Sequence, residues 1–154
     1  MDKVVVTALL LVAGVISAVF VFNSLFPIIT QSSDAMVSME RRADDRLKTQ
    51  IQIIHASANI TDSTVVVWVK NVGSTRILAP EGSDLFFGPQ GDFVRLPYGT
   101  GTPSWQYVVE NDTEWNPTRT IQITISDYSG LASGRYFMKL VLTNGISDES
   151  YFSW

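Results

Sequence analysis

Few side chains in this 154-residue chain could do acid–base, nucleophilic or metal chemistry. His55 is the single imidazole and there is no cysteine. That composition excludes disulfides, thiolate nucleophiles, thiolate metal sites and any centre built from several histidines. No G-x-S-x-G elbow, phosphate loop or H-E-x-x-H pair occurs. Glu110, Asp112 and Glu114 gather around one loop and offer hard oxygen ligands of the kind Ca²⁺ takes. The EF-hand spacing and its glycine are missing, so a solvated acidic loop is the better reading. His55 reads as a packed or solvated residue near a helix-to-sheet junction. No catalytic residue, cofactor or metal site is therefore expected, and the chain does not read as an enzyme. Two triplets point to modification instead: Asn59-Ile60-Thr61 and Asn111-Asp112-Thr113 are glycosylation acceptors, whereas Pro117 excludes Asn116.

The elements that hold these residues are strands. From Thr49 onward the apolar residues repeat every second position, and Ile51 and Ile53 alternate with Gln50 and Gln52. Segments rich in β-branched and aromatic residues follow at 65–71, 75–78, 84–88, 92–96, 105–111, 119–126, 135–144 and 149–154. Turn residues separate them, including Pro89-Gln90-Gly91, Ser129-Gly130 and Asn144-Gly145. In 119–126, Ile121, Ile123 and Ile125 share one face, with Gln122 and Thr124 on the other. In 135–143, Tyr136, Met138, Leu140 and Leu142 are expected inside. Phe137 and Val141 are expected outside, where an apolar pair hints at a contact surface. Eight or nine short strands without a helical pattern predict an antiparallel β-sandwich of immunoglobulin-like type over residues 49–154.

Residues 1–48 differ in kind. Positions 4–22 read VVVTALLLVAGVISAVFVF without a charge. Such a helix is about 28 Å long, close to the hydrocarbon thickness of a bilayer. It is apolar all round, which suits a membrane anchor or the core of a bundle of its own copies. A cleaved signal peptide fits less well, because the apolar run is long and Asp2 offsets Lys3. Beyond it, Met36, Met39, Ala43 and Leu47 keep helical spacing, and Arg41 with Asp45 and Asp44 with Lys48 stand four apart. One helix is expected from about residue 4 to about residue 48, roughly 70 Å long, with a bend near Pro27. The fold class is thus α+β.

Charge follows the same division. Five acids balance five bases in residues 1–55, so the net charge of −4 falls on the remainder. This acidic balance excludes a nucleic-acid binder that works through a broad basic surface.

The layout resembles that of archaellum proteins, and local motifs strengthen the likeness. VVVWVKNVGSTRIL at 65–78 is similar to the V-x-V-K-N-x-G-S-x-x-I strand–turn–strand of archaellins and of two related archaellum accessory proteins. Ser133-Gly134-Arg135-Tyr136 and the stretch 142–148 resemble their closing hairpin. The resemblance implies a subunit of a swimming filament in the type IV pilin-like superfamily. It would sit in the membrane before assembly and then form an extracellular helical homopolymer with copies of itself. Archaellum motor and platform membrane proteins are the implied further partners, with a prepilin-type peptidase if the chain is processed. Core packing is then expected through Val5, Leu9, Val12, Gly14, Ile16, Val19, Phe20, Phe26 and Ile29, and N-glycans on Asn59 and Asn111. Archaellin precursors carry a basic leader. None precedes Val4 in this sequence, so either Met1 is the mature N-terminus or the chain is not processed. The second case implies the alternative: a membrane-anchored stator or accessory protein of the same fold that contacts the cell envelope.

Overall fold

The computed structural model describes residues 2–154, with the side chains at 29 and 30 outside that description. Met1 and the Ile29 side chain, both named in the expectations above, lie outside the described residues. Helix α1 runs without interruption over Asp2–Lys48 and contains Pro27. Thr7, Ser17 and Ser24 each donate a hydroxyl to the carbonyl four residues back, which satisfies these hydroxyls without any partner outside the helix.

Eight strands follow: β1 (Ile51–Asn59), β2 (Thr64–Asn71), β3 (Asp84–Pro89), β4 (Val94–Leu96), β5 (Ser104–Val109), β6 (Thr120–Ser126), β7 (Arg135–Val141) and β8 (Ser147–Ser153). They form two four-stranded antiparallel sheets, ordered β1-β2-β6-β5 and β4-β3-β7-β8. The inward faces alternate as the sequence requires. Val65, Val67 and Val69 of β2 lie opposite Ile125, Ile123 and Ile121 of β6. The second sheet contributes Leu85, Phe87, Met138 and Leu140, and all of these are buried in one shared core with Trp105 and Trp115.

By compactness the chain divides into residues 1–42 and residues 43–154. The second unit includes the last helical turn for a visible reason. The Ser74 N–H donates to Lys48 O at 2.9 Å, the Arg46 Nε–H donates to Asn144 O at 2.9 Å, and Asn144 Nδ2 donates to Thr49 Oγ1 at 3.0 Å. Gly73 belongs to the same junction, where an added Cβ would lie 2.5 Å from Lys48 O.

Two local expectations change. Residues 75–78 form no strand; Ile77 makes only an isolated bridge to Trp115. Phe137 was expected outside, yet it is only 7% exposed. Its ring does point to the outer face of the sheet, but Phe93 and Tyr151 cover it at centroid distances of 4.6 and 5.2 Å.

Candidate interaction surfaces

The chemistry-bearing residues are engaged in holding loops and strands. His55 lies in β1 and stacks on Trp68 of β2, centroids 5.4 Å apart. The Trp68 indole N–H donates to Glu110 at 2.9 Å. Asp112 accepts from the Thr113 N–H at 2.8 Å and from Asn116 Nδ2 at 3.1 Å, and pairs with Arg119 at 3.2 Å. The Asn116 bond and the backbone N–H groups hold its carboxyl below the ordinary carboxylate range, with Arg119 adding to the effect. Glu114 pairs with Arg76. The three acids of this loop therefore turn to three different partners, and no group of metal-ligating side chains occurs among the described residues.

The glycosylation candidates are both exposed. Asn59 closes β1, and its amide is occupied: Nδ2 donates to Asp62 at 2.5 Å while Oδ1 accepts from the Thr61 and Asp62 N–H groups. Asn111 stands in the turn after β5 with a left-handed backbone, φ 57°.

The motif at 65–78 has a structural basis. Asn71 is fully buried; its Nδ2 donates to Thr75 O at 2.9 Å and to Trp115 O at 3.2 Å, and its Oδ1 accepts from the Gly73 N–H at 3.0 Å. The V-K-N-x-G spacing thus builds a buried knot that ties the β2 turn to the 114–119 loop.

Among the described residues, two groups of neighbouring apolar side chains stand open to solvent. One is the outer face of the second sheet, where Phe86, Phe93 and Tyr151 surround Phe137 and Arg135 lies 4.7 Å over the Tyr151 ring. Gly88 makes room for it, since a Cβ there would come within 2.6 Å of the Phe93 backbone. The other is α1. Val5, Leu9, Val12, Ile16, Val19, Phe20 and Phe26 are all exposed, and Gly14 has open space where a Cβ would stand. The apolar part of α1 is long and apolar enough to cross a membrane.

Sequence reasoning missed most of the aromatic face. Its signal was the placement of Phe86 opposite in phase to Leu85 and Phe87. Phe93 could not be assigned locally, because it precedes a three-residue strand.

No protein-family model matches the chain. An uncharacterised protein of Archaeoglobus fulgidus is 26% identical over 162 residues, spanning 99% of this chain and 98% of that one. Among solved structures, the archaellum periplasmic stator protein FlaG from Sulfolobus acidocaldarius is similar with a TM-score of 0.60 and 31% identity, over 68% of this chain and 99% of that one. The chain belongs to the FlaG family of archaellum proteins. A structure of the FlaF–FlaG stator complex from the same organism is similar at 32% identity and TM-score 0.59, covering 68% of this chain and 89% of that chain. The likeness to an archaellum accessory protein expected from the sequence is thereby shown. It falls on stator proteins, and the filament-subunit expectation receives no support from it. Both similar solved structures are of archaellum stator proteins.

Proposed function

We propose that this FlaG-family chain is a membrane-anchored stator component of the archaellum. Helix α1 holds it in the membrane, and the β-sandwich works in the periplasm-like space outside. The observation that carries this reading is the 31% identity over 99% of the stator protein FlaG. The layout of apolar helix and β-sandwich serves a filament subunit equally well, so it does not discriminate. The A. fulgidus relative matches over nearly its whole length, which supports a functional unit that includes the helix. A second stator chain is the natural partner, because a FlaG relative is found in complex with FlaF. Such a role needs no bound cofactor: it requires a fixed anchor and a stiff domain that bears load.

The test is genetic and compositional. Deleting the gene should abolish swimming, while purified filaments from the parent strain should contain none of this chain. Filaments in which it is the dominant protein would restore the subunit reading.

A further inference from the structure

The edge strands of the two sheets are not equally protected. Strand β1 carries a bulge, and its Ile53 N–H is taken by Asp148 at 2.7 Å. Strand β4 has only three residues. At the start of β5, Trp105 bonds through its N–H to Pro97 O and through its carbonyl to the Gly99 N–H. Strand β8 differs. It pairs with β7 in one unbroken register over Ser147–Ser153 and contains no proline. Gly134 and Trp154 exchange both backbone hydrogen bonds, at 2.8 and 3.3 Å. By the alternation of an antiparallel ladder, Phe152 and Ser150 then also bond to β7, while Glu149, Tyr151 and Ser153 turn their N–H and C=O groups outward. No backbone group meets these three among the described residues. Such an edge is a template for a further strand.

The side chains beside this edge select the strand that fits. Rows across β7 and β8 place Arg135 with Ser153, Phe137 with Tyr151 and Lys139 with Glu149. Lys139 Nζ donates to Glu149 at 3.0 Å, yet the Glu149 side chain stays 53% exposed. Arg135 has no carboxylate partner among the described residues and lies over the Tyr151 ring. We infer that β8 pairs with β8 of a second copy, antiparallel and centred on Tyr151, so that the second sheets of two copies become one. In this register Tyr151 exchanges both backbone bonds with Tyr151 of the second copy, and Glu149 exchanges them with Ser153 in each direction. The row that starts at the unpaired Arg135 crosses the short Ser153 side chain and ends on the exposed Glu149 carboxylate of the second copy. The two Glu149 side chains stay apart, so like charges do not meet. Phe137 and Tyr151 of both copies line up in one aromatic strip. The contact is self-complementary, as a two-fold interface requires, and it goes beyond the stator reading without depending on it.

The chain contains no cysteine, so single-cysteine variants report one position each. The full-length chain is purified in detergent from a host without archaellum proteins and then oxidised. Directly opposed residues of a bonded pair stand about 5.5 Å apart at Cα, within disulfide reach. Tyr151→Cys should therefore give a linked species of about twice the 17.1 kDa chain mass. Glu149→Cys alone and Ser153→Cys alone should not, because each lies more than about 13 Å from its own copy. Mixed together, those two variants should link; this mixture keeps Tyr151 and so tests the register separately. Adding Ser153→Pro to Tyr151→Cys removes an N–H that points away from β7, and adding Arg135→Glu sets two acids in one row; either should abolish the crosslink. No crosslink in both Tyr151→Cys and the mixture, equal linking of Glu149→Cys or Ser153→Cys alone, or a Tyr151→Cys crosslink unchanged by Ser153→Pro and Arg135→Glu would each overturn the pairing. Swimming and filament composition are not read in this experiment, so its failure is separate from failure of the stator reading.

Discussion

At the residue scale, the polar groups that look functional in the sequence hold the fold together. Asn71 shows this most clearly, because both ends of its amide are used inside the protein. Asn71→Asp keeps the shape but removes both donors and leaves Thr75 O and Trp115 O without them. It should cost about 1–3 kcal/mol in denaturant unfolding, and Asn71→Ala should be no better. Tyr107 gives a pH signature. Burial, helped by its 3.0 Å hydrogen bond to Glu81, pushes its hydroxyl from the ordinary 10 up to about 12. Between these values the unfolded chain has released the proton and the folded chain has kept it, so stability falls as pH rises. The unfolding midpoint should therefore decline from pH 10 to about 12, and Tyr107→Phe should lack that part of the decline. Of the two glycosylation candidates, Asn111 should be the more completely modified, since Asn59 must first release Asp62. Intact mass of native protein, with Asn111→Gln as control, checks both.

At the element scale, pairing between distant segments supplies what local pattern lacks. Strand β1 carries a bulge between Ile53 and His55. The Ile53 N–H donates to the Asp148 carboxylate of β8 at 2.7 Å. That contact joins the edges of the two sheets and shields an otherwise open strand. Gly88 is a second such point: its Cβ position is occupied by backbone of the β3–β4 turn, at 2.5 Å from Asp92 O. Backbone yields less easily than a side-chain tip, so Gly88→Ala should destabilise the sandwich by about 1–3 kcal/mol through overpacking, measured by thermal or urea unfolding. The same change should expose the Phe137 ring by displacing Phe93, which fluorescence of a bound apolar dye would report.

At the scale of the molecule, the two parts differ in what they bury. Residues 43–154 hold a core of their own, whereas the described apolar side chains of α1 are exposed. Expressed alone, residues 43–154 should be soluble. A shorter piece that starts at residue 50 should be less stable, because it loses Arg46, Lys48 and Thr49 and their bonds to Asn144 and Ser74. The full chain should require detergent or a membrane. Within the core, Leu140→Ala should cost about 2–5 kcal/mol by leaving a cavity, a large share of the 5–15 kcal/mol typical of a domain.

The amino-acid sequence by itself determined the contrast between an apolar helix and a β-sandwich, the inward faces of β6 and β7, and the poverty of catalytic groups. These features are local: a helical or alternating period, a turn residue or a missing cysteine needs no knowledge of distant neighbours. Tertiary structure alone decided the burial of Phe137, which depends on a ring contributed from the turn before β4. It also decided which partner each carboxylate takes, and the role of Asn71 as a knot between β2 and a loop more than forty positions away. Residues 75–78 were misread for the same reason. Their β-branched run fits a strand, but the neighbouring loop offers only the Trp115 backbone to pair with. Strand propensity requires a partner, and partners are chosen by the fold as a whole.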